Sequence, residues 1–224
     1  RRPPRSTLFP YTTLFRSVGT SAEFDWLYSD MVHQFPPSEL KPKAAFAQMI
    51  ASGESRFMVA EQNGGVVGYY LYHNAGEVAM LDHIAVLEQF HSRGIGTALL
   101  REIARMHAEI KGMFLEVEPP DAANPATLRR IKFYEKCGLY KLPINYLMPA
   151  PNSETVKMDI WFLNSDGFGN GKIAPQTVMD AIRALSRRVY GCFESARRTM
   201  LENLEIPPPE NSEKYRPEMP ENRA

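Results

Sequence analysis

The sequence predicts an α+β fold in which a mixed, mostly antiparallel sheet is flanked by helices and followed by an added C-terminal helix. Three observations carry that reading. Two short β-rich runs, Arg56 to Glu61 and Val66 to Tyr72, flank an Asn63-Gly64 pair, a dipeptide that supplies the positive φ angles of a tight hairpin. Strand-period and helix-period segments then alternate with crossovers in the middle of the chain, which favours a mixed sheet over a purely parallel one. Finally, Pro175 to Leu204 carries one long amphipathic stripe after the turn-rich segment "NSDGFGNGK".

The elements follow in order. Phe24 to Val32 and Lys43 to Ile50 each space apolar residues for one helix face, the second through Ala44, Phe46, Ala47, Met49 and Ile50. The joint "FPPSELKP" between them reads as an elbow. After the hairpin, Glu77 to Val86 extends the meander as a third strand. Ile95 to Ala108 is a helix, since Ile95, Ala98, Leu99, Ile103 and Met106 gather on one face. Met113 to Glu118 predicts a strand, Thr127 to Lys136 a helix, and Tyr140 to Leu147 and Val156 to Leu163 two closing strands. The long helix packs on this core or on a second subunit, the latter implying a homodimer. Residues 206–224, rich in Pro and Glu and nearly devoid of apolar side chains, are expected to be disordered.

Between strand and helix, Leu81 to Leu100 reads "LDHIAVLEQFHSRGIGTALL", an apolar run, a polar loop with glycines at 94 and 96, and a helix that starts without a break. Such a loop makes an anion site. The glycines let the backbone approach a phosphate without a Cβ clash, and the free amides of the first helical turn, aided by the helix dipole, hold it. The pyrophosphate of coenzyme A is an anion of this kind.

At this loop the sequence resembles the GNAT superfamily, whose fingerprint is Gln or Arg, two residues, Gly, one residue, then Gly or Ala, directly before a helix. "HSRGIG" matches at Gly94 and Gly96, with His91 at the first position. "RRIKFYEKCGLYKL" from Arg129 resembles the family's second signature, a helix ending in Tyr-Glu-Lys, one residue and Gly, where Gly138 suits a helix C-cap. Together with "FLEVEPP", "LDHIAV" and the "FPPSEL" elbow, these segments are similar to a group of bacterial GNAT proteins over Phe24 to Leu163, with His83 in place of an aromatic.

The resemblance implies a GNAT fold and an N-acetyltransferase that moves an acetyl group from acetyl-CoA onto a primary amine. Acetyl-CoA is then the co-substrate, bound by His91, Ser92, Arg93, Gly94, Ile95, Gly96 and Thr97. The backbone of Ile84, Ala85 and Val86 is expected to hold the pantetheine arm and polarise the thioester carbonyl. An amine must lose a proton before it attacks, and a departing thiolate benefits from receiving one, so the site needs a base and an acid. Tyr134 matches the family position whose hydroxyl lies near the CoA sulfur and is assigned as the acid. For the base, Asp82 and Glu116 are both acids within apolar runs, and either serves if buried. Glu118, His83 and Tyr146 are candidates for the acceptor pocket, whose occupant is a small-molecule or peptide amine.

Composition narrows the classes. Residues 1–17 match a translated sequencing adapter, so they are set aside as a scar, and the native start, including a first strand, is expected to be lost or replaced. Removing the four arginines of that scar leaves 22 basic against 26 acidic residues. This balance offers no footprint for nucleic acid or for an anionic membrane. Apolar runs such as Val66 to Tyr72 fall short of the ~20 residues a membrane span requires. Cys137 and Cys192 make no disulfide framework and no metal spacing, which implies a cytoplasmic setting and no metal. "DGFGNGKI" resembles part of a calcium loop but has Phe168 and Thr177 where oxygen ligands belong.

The expected organisation is a scar over 1–17, an acetyltransferase domain over 18–164, a linker over 165–174, a helix over 175–205 and a tail over 206–224. Two other functions compete with catalysis. One is a non-catalytic, CoA-binding regulatory module, and the other an interaction protein that works through its C-terminal helix.

Overall fold

A computed structural model describes residues 14–17, 21–53, 55–167 and 169–208. The expected disordered tail lies outside them from residue 209 on, as does most of the adapter-like segment.

The apolar faces identified above fold into β1 (Leu14–Ser17), α1 (Ser21–Gln34), α2 (Lys43–Ala51), β2 (Ser55–Gln62), β3 (Gly65–Ala75) and β4 (Val78–Val86). They continue as α3 (Ile95–Met106), β5 (Gly112–Val117), α4 (Pro125–Lys136), β6 (Tyr140–Lys141), β7 (Tyr146–Pro149), β8 (Thr155–Asn164), α5 (Pro175–Tyr190) and α6 (Glu194–Asn203). Asn63 and Gly64 turn the β2–β3 hairpin with φ of 54° and 76°, the paired positive values that match the twist of the flanking strands. Adjacent strands run β1-β2-β3-β4-β5-β8-β6, with β7 also on β8. Among the described residues only the β4–β5 pair is parallel, because α3 carries the chain across between them. The mixed, mostly antiparallel sheet is therefore as expected.

Strand β1 belongs to the adapter-like segment, yet Leu14 to Ser17 pairs with Met58 to Glu61 of β2. Ladder bonding at a sheet edge uses only backbone groups, so the pairing does not depend on which residue types stand there.

Two expected elements are divided. The single strand over Tyr140 to Leu147 becomes β6 and β7, both along β8, because Pro143 has no amide to donate and the Ile144 amide turns back onto the Leu142 carbonyl at 2.9 Å. The released Asn145 pairs instead with Glu205 beyond α6. The long C-terminal helix breaks at Gly191, a weak helix former, into α5, one 3-10 turn and α6. Both halves turn their apolar stripes onto the chain's own sheet, burying Val178, Ile182, Leu185, Val189, Met200 and Leu204.

Alternation along the strands gives the sheet two apolar faces. On one, Tyr70, Leu81, Leu115 and Trp161 pack against α3 and α4. The other face is shared: Val59, Tyr69, Leu71 and Ala85 meet α1 and α2, whereas Met80, Phe114, Ile160 and Phe162 meet α5 and α6. Between those two helix pairs runs a buried polar seam, in which Lys41, His73, His83 and Asp82 are nearly inaccessible to solvent. Among the described residues no helix is long and apolar enough to cross a membrane.

Candidate active site

The ladder between β4 and β5 ends at Met80 opposite Phe114, although β4 continues to Val86 and β5 to Val117. Past that point the two strands share no ladder bonds, and the β4 backbone that faces the gap is released to other partners. The β3–β4 register also slips at Leu71/Tyr72, which leaves Asp82 as the extra residue of a bulge. Bulges bend a strand and re-aim its side chains, and here the bulge sits at the mouth of the gap.

Two cavities meet there. A groove of about 620 Å³ is bordered by Ile84 to Val86, the start of α3, and Arg129, Arg130, Phe133 and Tyr134 of α4. A smaller cavity of about 220 Å³ is bordered by Phe35 and Glu39 of the elbow, Asp82, Glu116, Arg130 and Tyr134. The end of β4, Arg130 and Tyr134 belong to both, so the spaces are two arms of one site.

In the larger arm the first bond of α3 joins the Ala98 amide to the Gly94 carbonyl at 3.1 Å. The amides of Ile95, Gly96 and Thr97 therefore have no helical acceptor and remain available to an anion. The two glycines serve different ends. Gly94 caps the helix at φ 79°, whereas a Cβ on Gly96 would come within 3.2 Å of the Phe133 ring, so Gly96 allows α3 to seat closely on α4. All residues expected to bind the co-substrate border this arm except Arg93, whose guanidinium lies 5.6 Å from the centre of the Phe90 ring. His91 borders this arm, and its Nε2–H donates to the Val86 carbonyl at 2.7 Å, which ties the loop to β4. Positive charge comes from α4, where Arg129 and Arg130 form the opposite wall.

The smaller arm gathers carboxyl groups. Asp82 lies buried in the seam, where burial alone would raise its pKa. Lys41, at 3.0 Å, and the imidazoles of His83 and His73 more than offset that effect and hold it well below the usual carboxylate range. The His73 ring, 2.9 Å from Asp82, is itself steadied by Ser55 at 2.8 Å. His83 fills the aromatic's place literally, edge-on to the rings of Phe35 and Phe46, with centroids 4.7 and 5.4 Å away.

Glu116 presents the opposite case. Burial pushes its carboxyl up to about 7, against the hydrogen bonds that Tyr146 and Tyr190 donate to it. Glu39 is likewise raised to about 7 by burial, with Glu118 adding to the rise, and among the described residues its carboxylate has no hydrogen-bond partner. Glu118 is occupied by Arg130 at 2.7 Å, and Tyr146 is spent on Glu116. The Tyr134 hydroxyl, on a half-buried side chain that borders both arms, also has no partner among the described residues, and desolvation raises it above the usual tyrosine value, so it stays protonated at neutral pH.

A pH dependence follows from Glu116. Its folded-state pKa of about 7 exceeds the ordinary 4.5, so its contribution to stability is fully present below about 4.5 and is lost as pH rises through about 7. Urea unfolding at pH 5 and pH 8 should show the wild type losing more stability over that interval than Glu116→Gln, which cannot ionise. Equal losses would mean that Glu116 is not raised.

Sequence reasoning did not find Glu39, Lys41, His73, Arg129, Arg130 or Tyr190. Glu39 had a local signal, as the sole acid in the "FPPSEL" elbow. The others lie on helix or strand faces with nothing local to distinguish them.

Comparison with known proteins adds a family. The model of the acetyltransferase (GNAT) domain matches residues 53–139. An N-alpha-acetyltransferase of Sulfurisphaera tokodaii is 32% identical over 135 residues, covering 49% of this chain and 77% of that protein. Among solved structures, a GNAT-family acetyltransferase from Bacteroides thetaiotaomicron gives a TM-score of 0.66 at 21% identity, over 80% of this chain and 98% of that one. The spermidine N-acetyltransferase of Vibrio cholerae, in complex with CoA and spermine, gives 0.51 at 10% identity, over 70% of this chain and 97% of that one. At such identities the two structures bear on the fold.

Proposed function

Because the chain belongs to the GNAT family of acetyltransferases, we propose that it transfers the acetyl group of acetyl-CoA to a primary amine held in the smaller arm, by direct attack on the thioester. The observation that carries this reading is the junction of the two arms. The anion-binding groove and the acid-lined cavity share the end of β4 and Tyr134, so a thioester in one faces an amine in the other.

The roles follow from the chemistry of each group. The α3 amides, with Arg129 and Arg130, take the phosphates of CoA. Released backbone amides of Ile84 to Val86 hold the pantetheine and polarise the thioester carbonyl. Glu116, poised near neutrality, takes one proton from the ammonium, and the freed nitrogen lone pair bonds to the carbonyl carbon. The C–S bond breaks, Tyr134 gives its proton to the departing sulfur, and the proton still on the attacking nitrogen restores the Tyr134 hydroxyl, leaving the N-acetyl product and CoA. Asp82 is poorly suited to the base's role, since Lys41 and two imidazoles already stabilise its charge. The relative from S. tokodaii is named for α-amine acetylation and the V. cholerae enzyme for spermidine, and both acceptors are primary amines.

Glu39, whose carboxyl has no hydrogen-bond partner among the described residues and borders the same cavity, is placed to meet the ammonium of the entering amine. Glu39→Gln should raise the KM for the acceptor about tenfold and leave kcat within about threefold. A fall in kcat alone would give Glu39 the base's role instead.

The reading is tested by thiol release from acetyl-CoA in the presence of α-amino peptides, polyamines and small monoamines, with mass spectrometry of the products. N-acetylation of at least one class is expected. Tight CoA binding without turnover on any amine would favour a regulatory module, and failure to bind CoA would overturn both.

A further inference from the structure

The C-terminal helices lie beyond residue 139, where the acetyltransferase domain match ends, and yet one of them bonds a carboxylate that borders the acceptor cavity. We propose that Tyr190, the last residue of α5, is a positioning residue that works with Tyr146 to fix the carboxylate of Glu116 in the orientation from which it takes the amine's proton. The proposal rests on the reading of Glu116 as the base.

The geometry is a clamp. Tyr190 donates to Oε2 of Glu116 at 2.6 Å, while Tyr146 of β7 donates to Oε1, so each oxygen is held by a different phenol from a different element. Tyr190 is itself held on two sides. Its ring lies in the apolar cluster with Met80, Phe114 and Val189, and the Lys41 ammonium sits 4.9 Å from its centre. Lys41 in turn is fixed by Asp82. The hydroxyl of a fully buried tyrosine commonly finds a partner, and this one finds a carboxylate that borders the acceptor cavity.

The clamp also keeps the base usable. Glu116 is packed against Tyr146 and Tyr190, with Asp82 of β4 and Lys41 of the elbow nearby, and it shares the cavity wall with Glu39, Arg130 and Tyr134. Burial and Asp82 favour its protonated form, while the two phenols and Lys41 favour the ionised form. Without a donor on Oε2, more of the enzyme would carry a protonated Glu116 at neutral pH, and such a group cannot take a proton.

The test is the pH profile of kcat/KM for the best amine found, measured with the full chain. Tyr190→Phe keeps the ring and its packing, and should move the acidic limb to higher pH by about one unit. The rate near pH 7 then falls about fivefold and recovers at higher pH, with CoA affinity unchanged. Glu116→Gln should abolish the limb, and in that background Tyr190→Phe should have little further effect. A limb that stays in place in Tyr190→Phe, or an equal loss of rate in both backgrounds, would overturn the proposal. If Tyr190→Phe does not fold, the cycle is run with Tyr190→Trp, which keeps an aromatic ring, and an unmoved limb in that variant likewise overturns it. An unchanged profile in Glu116→Gln would instead overturn the assignment of the base.

Discussion

Tyr134→Phe should lower kcat by a hundredfold or more while leaving the dissociation constant for CoA within about twofold. The change removes one oxygen. It leaves the ring between Phe133 and Trp161, so packing of α4 on the sheet is retained. What is lost is the tyrosine hydroxyl that borders both arms and has no partner among the described residues. A phenol left free in this way is available to the sulfur as negative charge develops on it. A general acid of this kind is worth roughly 10² to 10⁴ in rate, or about 3 to 5 kcal/mol of barrier. Stopped-flow thiol detection separates the chemical step from product release, and calorimetric titration gives the CoA affinity. Unchanged turnover would show that water, or another group, protonates the thiolate.

Lys41→Met should destabilise the fold by about 3 kcal/mol, because it leaves the Asp82 carboxylate buried and short of its ammonium. Both partners are nearly inaccessible, at 2% and 3% of side-chain exposure, so solvent screens the pair little. Methionine keeps most of the stem that packs against Phe46 and Tyr190, which confines the loss largely to the charge. Adding Asp82→Leu should return much of the stability, since a buried pair replaced by apolar groups costs far less than one broken in half. Urea unfolding of the two single variants and the double variant measures this directly. Equal destabilisation by the double variant would mean that the seam is held by packing rather than by charge. The acid limit has a definite sign. Asp82 is held below its ordinary value, so the stability it adds is present above about 3.8 and is lost only as pH falls through its depressed folded value.

Much of this molecule is legible from short stretches of sequence. The hairpin at Asn63-Gly64, the helix faces, the Gly94 cap and the αL residue at Gly138 follow from requirements that a residue and its near neighbours meet together. Tyr134 is legible through the motif around it. The places where the reading failed are those where local pattern met a distant constraint. Leu142 to Asn145 carry a strand-like pattern but bend at Pro143, and Asn145 then pairs with Glu205, 60 residues away.

By itself, then, the sequence determined the order of strands and helices, the mixed sheet and the glycine turn that opens α3, because hydrophobic period and backbone conformation act within a few residues. Only the tertiary structure decided which acids are usable. Lys41 meets Asp82 across 41 residues and Tyr190 meets Glu116 across 74, and these two contacts set one carboxylate low and anchor the other near neutrality. Asp82 and Glu116 look alike as lone acids in apolar strands. What separates them is the charge and hydrogen-bond donors that the fold brings to each, a property of burial and neighbours that no run of adjacent residues encodes.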